Sequence, residues 1–311
     1  MTMGHIVHIG YHKTATSWFQ KSFYPQVRNY RFVSRKDVRR AILLDYAFHF
    51  EPERALQRLG VDGELPLILC EEGLSGHLYS AGLYGFLAKE VACRLQATLP
   101  DANIVIFIRR QPEMIAAVYK QYVREGGTHT PRRFLYPERY LHETGFRPVY
   151  VPLFSFNHFE YYPLIKHYRQ LFGEERVQVF LYEEFAANQQ LFIDKYIRRF
   201  DLSVDMAQVS AASKVNESYR QGILPLARLA NRFSRRNVMD KNYLVDLPGA
   251  YRLGVTVLKR LNRLAIFGRS PDPMTLFGEQ LVGDLADRYR TWNRKLVEDL
   301  GLPLEKYGYP L

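Results

Sequence analysis

Three short stretches concentrate side chains able to handle an anion and a proton. In HIVHIGYHKTATSWFQKSF, residues 5–23, Gly10 is followed by Lys13 and then by three hydroxyl residues, Thr14, Thr16 and Ser17. In LPLILCEEGLSG, residues 65–76, Glu71 and Glu72 directly follow an apolar run. In IVIFIRRQPEMIAAVYKQYVREGG, residues 104–127, a second apolar run ends in Arg109 and Arg110. A lysine and hydroxyls placed where a strand becomes a helix suit a phosphate-like group. The first helical turn leaves N–H groups without partners, and the helix dipole adds positive charge beside them. A carboxylate at a strand end can accept a proton during a reaction. A guanidinium fork can chelate a terminal phosphate through two parallel hydrogen bonds. Each stretch also has a structural reading: an N-capped helix with a surface lysine, an acid closing a strand, a solvated arginine pair.

The elements that must position these residues are visible in the hydropathy pattern. Short β-branched runs at His5–Gly10, Tyr30–Ser34, Leu67–Cys70, Asn103–Ile108 and Val177–Tyr182 predict strands. Helical spacing predicts helices over Thr16–Phe23, Lys36–Phe50, Leu83–Leu99, Pro112–Glu125, Phe159–Phe172 and Glu183–Phe200. Apolar strands alternating with crossover helices predict an α/β fold: a central parallel sheet covered by helices on both faces. Ligands of such sheets bind beyond the carboxyl ends of the strands, where all three stretches lie. The Pro-, Arg- and Tyr-rich run Thr128–Pro152 interrupts the alternation and reads as a long ordered loop that shapes a site.

The 311 residues carry a formal charge of +11, which favours anionic partners: nucleotides, nucleic acid, acidic glycans or a membrane surface. The excess is concentrated late. Between Arg220 and Arg269 eleven cations, including Arg228, Arg232, Arg235, Arg236 and Lys241, face only Asp240 and Asp246. Aliphatic residues fall between them at helical spacing, which predicts a basic amphipathic face, either simply solvated or turned to an acidic acceptor or lipid surface. Cys70 and Cys93 sit in apolar runs with no ligand or disulfide pattern and read as reduced core residues of a cytoplasmic protein. The N-terminus lacks the long apolar core of a signal peptide, and no apolar run approaches the length of a membrane span. His8, His12, His77, His129 and His158 show no metal spacing, although His12 falls inside the opening loop. Basic, aromatic-rich Arg132–Tyr140 has no accompanying nucleic-acid motif.

The opening loop is not an ATP or GTP loop of the Walker type, because Val7 and His12 occupy the two required glycine positions. Lys13-Thr14-Ala15-Thr16-Ser17 instead resembles the 5′-phosphosulfate loop of sulfotransferases, enzymes that use 3′-phosphoadenosine 5′-phosphosulfate (PAPS). That family commonly has glycine where Ala15 stands. The stretch around Arg109 resembles the family's 3′-phosphate motif, an arginine at a strand end followed eight residues later by a serine. Either Arg109 or Arg110 fits the arginine; Tyr119 supports the first and Pro112 the second. The serine position then holds Ala117 or Val118, a departure that removes one expected phosphate contact. The acid after the third run resembles that of carbohydrate-directed, often bacterial, members and selects Glu72. The same string is also similar to a Walker B element, which would need the missing Walker A loop. SAASKVNESYRQG, residues 210–222, resembles a late donor-closing loop, with Lys214, Asn216 and Ser218 as donor contacts.

The resemblance implies a single sulfotransferase domain over residues 1–311, P-loop-like, with a basic helical C-terminal part from about 218 to 311. It implies a cytoplasmic PAPS-dependent enzyme without a metal, acting on a hydroxyl of a carbohydrate or glycolipid. Glu72 would be the base and Lys13 would stabilise the leaving oxygen. Association with the inner membrane face and two rival readings stay open: a nucleotide-dependent kinase or hydrolase, and a non-catalytic fold that binds an anionic ligand.

Overall fold

The computed structural model describes residues 4–61, 63–136, 154–209, 218–234 and 244–311. Lys214, Asn216, Arg235, Arg236, Lys241 and most of the long run before Pro152 lie outside them. The chain divides into two compact units. One gathers Met1–Arg109, Asn157–Val215 and Trp292–Tyr307; the other gathers Arg110–Phe156, Asn216–Thr291 and Gly308–Leu311.

The first unit holds the expected sheet. Strands β1 (Ile6–His8), β2 (Arg31–Phe32), β3 (Leu67–Cys70), β4 (Asn103–Ile108) and β5 (Val177–Leu181) are all parallel, in the order β2-β3-β1-β4-β5. Alternate residues face opposite ways. Ile6, Ile68, Cys70, Val105 and Phe107 pack with the helical segment Thr16–Phe23 and with the helices Tyr182–Ala187 and Gln189–Phe200. The opposite set, including Val7, Leu69, Ile104 and Ile106, is equally buried, and the helix Tyr161–Phe172 packs against β4 and β5. Burial on both faces explains why these strands are continuous apolar runs rather than alternating ones.

Several boundaries move for identifiable reasons. β2 is an edge strand with one neighbour, so only two of the five expected residues pair, although Val33 N–H still reaches the Ile68 carbonyl. The single helix expected over Glu183–Phe200 breaks at Asn188, whose side chain accepts from Leu191 N–H and starts a second helix. The helix expected over Lys36–Phe50 ends at Leu43, and Ala47–His49 forms a separate 3-10 turn. A helix over Pro52–Leu59 escaped the pattern reading, although Pro52 at its start and Gly60 at φ +70° just past its end are ordinary boundary signals. Cys70 is buried as expected, but Cys93 is exposed: it lies on the outward side of the helix Phe86–Thr98.

The second unit is helical. Gln111–Arg124, Pro131–Leu135, Ile223–Ala230 and Ala250–Leu261 are joined by the first part of Pro273–Leu300, which kinks at Gly278. Pro131–Leu135 shows that the run after Thr128 begins as a helix rather than a loop. Its core contains Tyr119, Tyr122 and Phe134, and Asn231 Nδ2 donates to the carbonyls of Val123 (2.8 Å) and Gly127 (2.9 Å). Among the described residues no helix is long and apolar enough to cross a membrane.

Candidate active site

β1 is the middle strand, with β3 and β4 as its neighbours, so the segments leaving their carboxyl ends converge. Chain connections leave the middle of the sheet in opposite directions there, the place where open parallel sheets bind ligands. Gly10, Lys13 and Ala15 all have positive φ, at +64°, +67° and +68°. A Cβ at Gly10 would stand 3.0 Å from Thr16 Oγ1, a tight contact, so conformation and space both favour glycine there. Left-handed geometry at the non-glycine residues Lys13 and Ala15 costs roughly 1–2 kcal/mol each. Alternating left- and right-handed residues is the backbone arrangement that turns successive N–H groups toward one anion. The loop feeds directly into the helical turns Thr16–Trp18 and Phe19–Phe23.

The hydroxyls divide by role. Thr14 is fully buried and its Oγ1 donates to the Tyr11 carbonyl at 2.5 Å, so its side chain closes the loop on itself. Thr16 Oγ1 makes a longer contact with the same carbonyl, 3.5 Å, and Ser17 is half-buried. Thr14 therefore offers an anion its backbone rather than the hydroxyl donor expected of it.

The paired glutamates differ sharply. Glu71 has a side chain only 1% exposed and accepts from Arg35 Nε (2.8 Å), Arg39 Nη2 (2.9 Å) and Gly73 N–H (3.1 Å). Burial alone would raise its titration, but the two guanidiniums outweigh burial and hold the carboxyl below the usual range. Glu72 keeps 17% side-chain exposure. Its Oε1 accepts from Arg35 Nη2 (3.0 Å) and its Oε2 from Gln20 Nε2 (3.0 Å), while its Cα lies 3.8 Å from where a Cβ on Gly10 would stand. Two carboxylate oxygens have about four acceptor sites between them, so room for a further donor remains. Arg35, Arg39 and Gln20 were not legible as site residues. Arg35 and Arg39 begin the two successive helical segments Arg35–Val38 and Arg39–Leu43 after the short edge strand, and no local spacing connects them with residues 71–72.

Arg109 directly follows β4 and binds the loop: its Nη1 donates to the Lys13 carbonyl at 3.1 Å. Its guanidinium stacks 4.6 Å over the Tyr182 ring, and the Tyr161 hydroxyl donates to the Arg109 carbonyl at 2.6 Å. Its buried Nε has no hydrogen-bond partner among the described residues. Arg110 belongs to the other unit, where it forms an ion pair with Glu113. In that unit Ala117 is half-buried whereas Val118 is fully buried, so only the register that starts from Arg109 puts the missing serine at an accessible position. Ser218 is half-buried, and its carbonyl accepts from Asn262 Nδ2 at 3.2 Å.

Histidines surround the loop. His158 packs 5.1 Å from the Tyr11 ring, and burial lowers its titration to about 3, with His77 adding repulsion. His12 is held well below its ordinary value, chiefly by burial and then by His158, His77, Lys13 and Arg35. His12 is therefore neutral at pH 7, with its buried Nδ1 lacking a partner among the described residues. Among those residues no group of three His, Cys, Asp or Glu side chains is arranged to hold a metal ion.

No family model matches the chain, and no curated protein matches it in sequence. Among solved structures the chain is similar to the crystal structure of a sulfotransferase from Alicyclobacillus acidocaldarius, with 19% identity over 86% of this chain and 100% of that one, at a TM-score of 0.48.

Proposed function

We propose that the protein is a sulfotransferase that moves a sulfonate from PAPS to an acceptor hydroxyl, on a carbohydrate or glycolipid in the cytoplasm. The observation that carries this reading is the pair of left-handed residues Lys13 and Ala15 after the middle strand, with Arg109 clamped on the Lys13 carbonyl. A loop held in a strained shape by a half-buried arginine is a preformed anion cradle. The residues fit the donor: backbone N–H groups, Lys13 and Ser17 suit the 5′-phosphosulfate, and Arg109 Nε supplies an uncommitted donor for a phosphate.

In the proposed reaction the acceptor oxygen forms a bond to sulfur as the bond from sulfur to the donor's phosphate oxygen breaks. Glu72 takes the acceptor's proton, since a free alcohol is a poor nucleophile. Lys13 balances the negative charge that grows on the departing oxygen, and the loop amides hold the sulfonate in line. Glu71 does not touch the reacting atoms; with Arg35 it sets the position of Glu72.

Turnover of PAPS with a panel of sugar and glycolipid acceptors tests the reading, with the Lys13→Ala variant alongside. Lys13→Ala should lower kcat by about 10² or more, the scale for removing one charge-stabilising donor. Sulfated product formed at wild-type rate by a folded Lys13→Ala protein would refute the assignment. Magnesium-dependent ATP turnover without PAPS turnover would establish the kinase or hydrolase alternative.

A further inference from the structure

The helical unit carries an apolar surface that its own core does not use. The helix Ile223–Ala230 buries Ile223, Leu224 and Ala227, and the helix Ala250–Leu261 buries Leu258; the two pack together. Each also presents a second apolar stripe to solvent. On the first, Leu226 and Leu229 lie one turn apart, Leu229 is 54% exposed, and Phe233 follows in the 3-10 turn Asn231–Phe233. On the second, Leu253 (69% exposed) and Val257 follow the same rule, and Leu264 and Ile266, the latter at 83%, stand exposed just beyond the helix end. Leu244, Val245 and Leu247 on the connection between the helices are exposed as well. Single exposed aliphatic residues need no explanation, but a periodic cluster of this size marks a binding surface.

The charges around the stripe identify what covers it. Arg232, Arg252, Lys259, Arg260, Arg263 and Arg269 are all exposed. Within residues 244–269 the acidic complement is Asp246 alone. Two cations of the same region serve the fold instead: Arg220 Nε donates to the Asn262 carbonyl (2.6 Å), and Arg228 Nη1 reaches the Tyr119 hydroxyl (3.3 Å). The remaining cations flank aliphatic side chains. Six exposed cations set against a single acid complement an anionic surface, and an aliphatic stripe edged by Lys and Arg is the pattern of a helix lying in a lipid headgroup layer.

We propose that this helix pair docks the protein on an anionic phospholipid bilayer, with the aliphatic stripe inserted at the acyl boundary and the cations on the headgroup phosphates. The inference does not depend on sulfonate transfer, because vesicle binding is measured without donor or acceptor.

The test is flotation of the full-length protein with vesicles of phosphatidylcholine alone or mixed with phosphatidylglycerol. Binding is expected only to the anionic vesicles and should be lost in about 1 M salt, where charges are screened beyond about 3 Å. The Arg252→Gln/Lys259→Gln/Arg263→Gln variant should bind about 10²-fold more weakly, from the contribution of each cation near an anionic surface. Leu253→Gln/Val257→Gln/Ile266→Gln should weaken binding by about tenfold or more at unchanged charge. The single variants Leu253→Gln and Arg263→Gln, at exposed positions, repeat both comparisons with least risk to the fold. Absent binding, equal binding to both vesicle types, or wild-type binding by the variants would overturn the proposal. So would a wild-type dimer in solution that the aliphatic variant converts to monomer, since a second copy would then occupy the stripe.

Discussion

Replacing Glu71 with glutamine separates its role from that of its neighbour. The substitution keeps the shape but turns one oxygen into an NH2 group facing Arg35 Nε, a donor against a donor. Glu71 loses charge-assisted bonds to Arg35 (2.8 Å) and Arg39 (2.9 Å), each worth about 1.5–3 kcal/mol when fully desolvated. The two arginine side chains are 37% and 47% exposed, so water recovers part of that loss, and about 2–3 kcal/mol in total is expected. At about 2 °C per kcal/mol for a protein larger than a small domain, the melting temperature should fall by about 5 °C. Glu72→Gln, at a more accessible carboxylate with two contacts, should cost under about 1 kcal/mol. Urea unfolding of wild type and both variants at several pH values measures this. A carboxyl held below its ordinary value contributes stability that is complete above that value and is lost as pH falls through the folded one. The ordinary value is 4.5, so the gap between wild type and Glu71→Gln should close as pH drops below it. Equal unfolding midpoints at pH 7, or a gap that persists in acid, would refute the argument that Glu71 is a buried anchor.

Glu72→Gln should preserve PAPS binding while lowering kcat by about 10² to 10⁴ and removing the acidic limb of its pH profile, whereas Glu71→Gln should be far milder; steady-state kinetics showing the reverse would move the base by one residue. Product 3′,5′-diphosphoadenosine should bind more tightly than 5′-AMP by about 2 kcal/mol in calorimetry, and Arg109→Lys should shrink that difference; equal affinities in the wild type would mean no 3′-phosphate site. His8 is buried between Phe19 and Phe107 with its titration lowered to about 3 by burial, so the stability it allows is complete above about pH 6.5 and declines toward pH 3. His12 and His158 contribute in the same window, so His8→Leu should reduce the pH dependence of unfolding there without abolishing it, and an unchanged slope would show that His8 does not contribute.

Much of the fold was legible because burial on both faces of a parallel sheet leaves an unmistakable local trace. β3 and β4 run from Leu67 to Cys70 and from Asn103 to Ile108, the spans that the apolar runs predict. The chemistry-bearing residues were legible for a related reason: Gly10, Lys13, Glu72 and Arg109 sit where strands end, and strand ends are visible locally. Their grouping was not. The order β2-β3-β1-β4-β5 makes β3 and β4 the two neighbours of β1, although the three are far apart in the chain, and only that order brings the loop, the acids and Arg109 together. The division of labour between Glu71 and Glu72 was equally hidden. Two adjacent identical residues differ only in what surrounds them, and Arg35, Arg39 and Gln20 come from 32 to 52 positions away in the chain. Composition fixes how much charge and apolar surface the chain carries. Tertiary packing alone decides which cation meets which carboxylate, because the energy of a buried charge depends on its neighbours in space.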